Sequence, residues 1–197
     1  MMQQRVSKHI NPERDALAIE AEYVQTDPWA IDSILRSEIL TRVVVDPCCG
    51  DGRMAEAARA AGYEIIGSDL YNWGYGDTGL DFLKDPYLYL DEVQGGTVFM
   101  NPPFSLACDF VDRARHLGAR KIICFQRTVW RESEARREWW MKNPPVRIYQ
   151  CGQRAVCWYG TIPVAERKGS AHQPHSWFVW EEGQPAGTLL GSIWRDA

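Results

Sequence analysis

Asn101-Pro102-Pro103-Phe104 follows the apolar run Thr97-Val98-Phe99-Met100 and brings two hydrogen-bond acceptors together, the Asn101 side-chain oxygen and the Pro102 carbonyl. Two prolines stiffen the backbone that carries them, and Phe104 adds a ring on which a flat base could stack. An amine conjugated to an aromatic ring is a poor nucleophile. A site that accepts both of its N–H bonds favours the pyramidal form the nitrogen takes as it bonds to carbon, with no need for a titrating base. The chemistry these residues suggest is transfer of a methyl group to a planar amine.

A second constellation lies upstream. Asp46-Pro47-Cys48-Cys49-Gly50-Asp51-Gly52 stands between a Val43-Val44-Val45 strand and an Ala-rich helix, so its glycines allow close backbone approach and the helix start offers unpaired N–H groups. The phosphate-loop pattern GxxxxGK[ST] is missing, and Asp46 would repel a phosphate but suit an ammonium. Asp69 ends the next strand, 23 residues after Asp46, where a carboxylate can accept both hydroxyls of a ribose.

These residues need elements to hold them. A helix with Thr26 or Asp27 as N-cap would carry the apolar stripe Trp29, Ile31, Ile34, Leu35, Ile39 and Leu40. Strands are expected at 43–45, 64–67, 97–100 and 121–125, and helices at 53–61 and 105–117, the second capped by Ser105. Apolar strands separated by helices indicate a doubly wound, mostly parallel α/β sheet of Rossmann-like type, with binding residues at the carboxyl ends of the strands. Asp46, Asp69 and Asn101 all stand at such ends. Segments 146–150, 155–159 and 176–180 read as an antiparallel C-terminal β region.

With 197 residues the chain suits one domain, read as an arm over 1–22, a core over 23–181 and a tail over 182–197. No apolar stretch reaches the length of a membrane helix and Met1-Met2-Gln3-Gln4-Arg5 has no signal core, which predicts a cytoplasmic protein that uses no membrane. The cysteines at 48, 49, 108, 124, 151 and 157 lack paired spacing and read as reduced thiols. Cys151, Cys157, His172 and His175 lack the spacings of common zinc sites, so no metal is assigned. The net charge of −4 conceals a division: residues 1–99 hold 8 Lys+Arg against 17 Asp+Glu, a net of −9, and residues 100–197 hold 14 against 9, a net of +5. The basic run from Arg113 to Arg147 and the loop from Arg167 to His175 are therefore candidates for contact with a nucleic-acid strand.

In the order of these motifs the chain resembles the S-adenosylmethionine-dependent adenine-N6 DNA methyltransferases, especially the small ones of phages and prophages. The resemblance spans residues 23–181 and includes Thr26-Asp27-Pro28-Trp29, the glycine turn, Asp81-Phe82-Leu83, the Asn-Pro-Pro-Phe tetrapeptide and Pro174-His175-Ser176-Trp177-Phe178-Val179-Trp180. It implies S-adenosylmethionine as cofactor, with Thr26, Asp27, Asp46, Cys48, Gly50 and Gly52 near its methionine end. Asp69 would hold the ribose, and Asp81 and Phe82 the donor adenine. Asn101, Pro102, Pro103 and Phe104 would form the catalytic tetrapeptide and hold a DNA adenine that is flipped out or single-stranded. Many members of the family carry Tyr where this chain has Phe104, a change that keeps the ring. Two other readings stand beside this one: the same machinery acting on an RNA base or a protein glutamine, and a non-catalytic module that binds donor or DNA.

Overall fold

Alternate side chains of each central strand bury into different cores, and this splits the sheet between two helical layers. The computed structural model describes residues 16–17, 21–86, 88–160, 173–184 and 187–195. Most of the arm expected over 1–22 and most of the loop 167–175, with Arg167 and His172, lie outside them. Val44, Phe99, Ile123, Phe125, Trp177 and Val179 pack with Trp29, Ile31, Ile34, Met54, Ala55 and Ala58 on one face. Val45, Val98, Met100, Ile122, Cys124, Phe178 and Trp180 pack with Phe82, Val93, Phe110, Val111 and Ala114 on the other. Neighbours such as Val44 and Val45 thus serve opposite cores, which is why the strands read as unbroken apolar runs. Each fully buried side chain of this size contributes about 1.5–3 kcal/mol.

The strands are β1 (Val24–Gln25), β2 (Val43–Asp46), β3 (Glu64–Asp69), β4 (Asp77–Thr78), β5 (Thr97–Met100), β6 (Lys121–Arg127), β7 (Arg147–Cys151), β8 (Trp158–Tyr159), β9 (His175–Glu181) and β10 (Leu189–Ile193). Eight of them form one sheet in the order β10-β7-β9-β6-β5-β2-β3-β4, and β1 pairs with β8 in a separate antiparallel ribbon. Within the large sheet all pairs are parallel except those of β9, which runs antiparallel to both β6 and β7. The fold is therefore α/β, mostly parallel, with an antiparallel C-terminal segment. Chain order reverses between β2, whose successor β3 lies to one side, and β5 on the other. Such a switch point leaves a crevice at the carboxyl ends of the strands.

From residue 21 on, the helices among the described residues are α1 (Pro28–Ser37), α2 (Arg53–Ala60), α3 (Leu90–Val93), α4 (Ala107–His116) and α5 (Arg137–Lys142). Several details depart from the sequence expectations. Asp27 occupies the N-cap position of α1 with an extended backbone but makes no side-chain cap bond; its carboxylate accepts the Val156 N–H at 2.8 Å. Helix α1 ends at Ser37, so Ile39 leaves the apolar stripe and stands 83% exposed. Ser105 is not a cap either. It lies inside a 3-10 turn, Phe104–Leu106, that precedes α4. Only Trp158–Tyr159 of the segment 155–159 is a strand, and β10 adds a strand beyond residue 181 where none was expected.

At the amino ends of the strands, opposite the crevice, four charges meet, with Glu38 and Lys121 buried and Arg147 and Glu181 half-buried. Lys121 pairs with Glu38 at 2.9 Å and with Glu181 at 3.1 Å, and Arg147 pairs with the same two carboxylates. Tyr149 donates its hydroxyl to Glu38 at 2.8 Å. Burial alone would push the Glu38 carboxyl up, but the bonds from Arg147, Lys121 and Tyr149 outweigh it and hold the pKa below the usual value. Two members of the basic run are thus spent inside the fold.

Candidate active site

Two cavities open at the switch point and share a wall. The first, of about 330 Å³, is built on the turn after β2. Gly50 (φ +57°) and Gly52 (φ +80°) are left-handed, and a Cβ would lie 2.5 Å from the Tyr23 ring at Gly50 and 2.2 Å from the Tyr75 ring at Gly52. Both positions therefore require glycine for conformation and for space. The Gly50 N–H donates to Asp69 at 3.0 Å, and the Tyr71 N–H donates to the other Asp69 oxygen at 2.9 Å. The Trp73 side chain and the Leu70 N–H also bond this carboxylate, and together these donors offset part of the rise in its pKa that burial causes.

Asp46 accepts the Cys48 N–H at 3.3 Å and is only 1% exposed. Burial pushes its carboxyl up to about 8, against the bond from Cys48 and with help from the Asp69 charge. Cys48 and Met54 complete this end of the cavity. At the other end, Asp81 accepts the N–H groups of Leu83 (3.1 Å) and Lys84 (3.2 Å), and Phe82 packs on Phe110 with ring centroids 5.4 Å apart. Tyr23 stacks on Trp73 at 4.3 Å to form an aromatic side wall.

The second cavity, of about 290 Å³, is lined by Pro102, Phe104, Phe125, Gln126, Arg127 and His175 among others. Successive residues of the tetrapeptide face alternate cavities. Asn101 lines both, Pro102 and Phe104 line the second, and Pro103 lines the first. Glu22 and Val24 also line both.

The orientation of Asn101 is fixed. Its amide nitrogen donates to the Val24 carbonyl at 2.9 Å and to Thr26 Oγ1 at 3.0 Å, while the Thr26 hydroxyl lies 3.5 Å from Met54 Sδ. Both N–H donors are used, so the Asn101 oxygen is left as an acceptor without a partner among the described residues. The Pro102 carbonyl already accepts the Gln126 Nε2–H at 2.6 Å, which leaves one lone pair for another donor. The Phe104 ring, expected to meet only a base, is contacted by the guanidinium groups of Arg127 (4.9 Å) and Arg136 (5.2 Å). Burial, and then the Arg127 charge, push His175 down to about 4, so it is neutral near pH 7.

Among the residues singled out from sequence, Thr26, Asp46, Cys48, Gly50, Asp69, Asp81, Phe82 and Pro103 come together around the first cavity, and Asn101, Pro102 and Phe104 around the second. Asp27 is turned toward Val156 and lines neither, and Gly52 supports the turn from behind as the N-cap of α2. Sequence reasoning missed Gln126, yet its signal was present: a polar residue at the carboxyl end of an apolar strand, the rule that selects Asp46 and Asp69. Trp73 and Glu22 had no comparable signal.

The chain matches no family model and no curated protein. Solved structures share its fold. The methyltransferase subunit of a type I restriction-modification system from Streptococcus thermophilus superposes with a TM-score of 0.53 at 9% identity, covering 90% of this chain and 51% of that one, so this chain spans about half its length. A predicted O-methyltransferase from Agrobacterium tumefaciens gives 0.54 at 12% identity over 84% of this chain and 85% of that one. A candidate RNA methyltransferase from Pyrococcus horikoshii gives 0.54 at 16% identity over 89% and 92%. The likeness is one of fold, the mostly parallel α/β sheet with a reversed C-terminal strand of class I methyltransferases.

Proposed function

We propose that this chain is an S-adenosylmethionine-dependent methyltransferase acting on the N6 amine of adenine in DNA. The observation that carries the reading is the Asn101 oxygen, held without a partner on the wall between two cavities. Nothing is gained from fixing an acceptor there unless a donor of N–H bonds enters from one side and its reaction partner from the other.

The first cavity suits the methyl donor. Asp46 and Asp69 close the ends of adjacent strands and can face an ammonium and a ribose, and the Phe82 wall suits a flat ring. Bound there, S-adenosylmethionine supplies an electrophilic methyl group on a sulfonium centre. The chain's own residues act on the amine. As its nitrogen bonds to carbon it gains positive charge, its N–H groups become stronger donors, and the Asn101 oxygen binds that state more tightly than the ground state. The remaining lone pair of Pro102 can accept the second N–H. Gln126 fixes the direction of that carbonyl through its 2.6 Å bond. The positive net of the C-terminal half favours a nucleic acid over a protein, and the order of the motifs favours adenine in DNA among nucleic-acid amines.

The burial of Asp46 gives a pH dependence. A carboxyl with a pKa of about 8 holds its proton at lower pH and must release it to pair with an ammonium. Donor affinity should therefore rise by up to about tenfold per pH unit between about pH 6 and about pH 7, where an α-ammonium stays charged. Calorimetric titration of the wild type and of Asp46→Asn checks this, and an equal slope in both would remove Asp46 from the ammonium site.

The function itself is tested by incubating the protein with labelled S-adenosylmethionine and separate samples of unmethylated duplex DNA, single-stranded DNA, total RNA and a protein extract, followed by nucleoside and amino-acid analysis. N6-methyladenine in DNA is the expected product. Label in RNA or in a protein amide would replace the acceptor and keep the chemistry, and donor binding without label on any sample would overturn the enzymatic reading.

A further inference from the structure

The basic run that suggested a phosphate-facing patch divides sharply in the fold. Lys121 and Arg147 are consumed by the carboxylates of Glu38 and Glu181, and Arg113 donates to the backbone carbonyls of Phe82 (3.3 Å) and Asp85 (2.7 Å). Arg127 and Arg136 are placed differently. They come from separate elements, the end of β6 and the 3-10 turn Glu134–Arg136, and converge on the Phe104 ring. Neither has a carboxylate partner among the described residues, and the Arg127 guanidinium makes no hydrogen bond there. Arg136 uses only its Nε–H, donated to the Trp130 carbonyl at 2.9 Å.

A guanidinium held over an aromatic ring keeps its remaining N–H donors for another group, in the planar fork that matches a phosphate. Two such cations on one ring repel each other, and a shared anion relieves the repulsion. His175, also on the wall of the cavity, is neutral near pH 7 and adds no charge. The anion must be one that arrives with the amine, because Arg127 and Phe104 line the cavity into which the amine would enter.

We propose that Phe104 is a platform that holds Arg127 and Arg136 as a clamp for a backbone phosphate of the nucleotide whose base enters the second cavity. The inference rests on the adenine reading above and deepens it, since a clamp of this kind identifies the acceptor as part of a nucleic-acid strand and gives a protein glutamine nothing to engage it. Phe104 then acts as a positioning residue for the two arginines.

The test measures binding by fluorescence anisotropy, over a range of salt, to a short labelled single-stranded oligothymidine with one central adenine. Arg127→Gln and Arg136→Gln should each weaken binding about tenfold and reduce the slope of log affinity against log salt by about 0.7. Phe104→Leu should weaken binding while keeping the slope, because the charges remain, and Phe104→Tyr should restore the affinity. The wild-type protein needs no variant for a parallel check: a neutral methylphosphonate linkage beside the adenine should weaken binding about tenfold, and the double arginine variant should bind native and neutral strands alike. Wild-type binding that ignores the neutral linkage, or a double variant with the parental slope, overturns the clamp. The readout does not depend on catalysis. Phosphate-sensitive binding without methyl transfer to any nucleic acid supports the clamp and removes the adenine-methylation reading, whereas DNA methylation with indifferent arginine variants removes the clamp alone.

Discussion

Asn101→Ala is expected to lower the methyl-transfer rate by about 10²–10³-fold while donor affinity moves by no more than about threefold. The substitution deletes the Asn101 acceptor on the wall between the cavities, and that acceptor strengthens its bond only as the amine acquires charge. It also cuts the ties to Val24 and Thr26, which could loosen the wall itself. Thr26→Val separates the two effects, because it removes one tie and leaves the acceptor oxygen. A Thr26→Val rate within about tenfold of the parent assigns the Asn101 loss to the missing acceptor. If Thr26→Val cost as much as Asn101→Ala, the asparagine would be a structural strut and its catalytic role would be gone. Single-turnover rates with donor at saturation give the comparison.

Glu38→Gln is expected to destabilise the protein by about 3 kcal/mol, lowering the melting temperature by roughly 6–12 °C. The change leaves buried Lys121 and half-buried Arg147 to share Glu181 alone. Adding Lys121→Met restores the balance of charge and should recover part of the loss. The acid limb shows the same effect. Glu38 and Glu181 titrate below the ordinary glutamate value in the fold, so their contribution is complete above about pH 4.3 and is lost as pH falls through the lowered folded values. Glu38→Gln should flatten that limb. Urea unfolding across the acid range measures both effects, and wild-type stability in the variant would mean that the cluster is inert. The cavities lie at the other end of the strands, so donor affinity should not change.

What could be read from the sequence was whatever depends on near neighbours. The apolar runs of β2, β5 and β6, the glycine turn and the polar residues at strand ends all have causes within a few positions, and each was found where expected. The misreadings share the opposite property. Lys121 and Arg147 looked like surface cations because their partner Glu38 is 83 and 109 residues distant. Asp27 resembled a cap with ligand-binding reach until Val156, 129 residues on, claimed its carboxylate. Ser105 has the chemistry of an N-cap, but the 3-10 turn displaces the start of α4 to Ala107. Within the candidate site the position of Asn101-Pro102-Pro103-Phe104 at the end of β5 was plain. The two arginines on its ring were not, since nothing local to residue 127 or 136 points to Phe104.

The place of β9 in the sheet constrains how the chain can be assembled. Residues 175–181 pair on one side with β6 and on the other with β7, so an interior strand is supplied after both of its neighbours have been made. Until it arrives, β6 and β7 each present an open edge, and the contacts that seal them link residues far apart in sequence. A chain cut before residue 175 would lack both β9 and β10, leaving β6 with one open edge and β7 with two. During synthesis this protein is therefore most exposed to aggregation late: His175–Glu181 closes the gap between β6 and β7, and Leu189–Ile193 then covers the outer edge of β7.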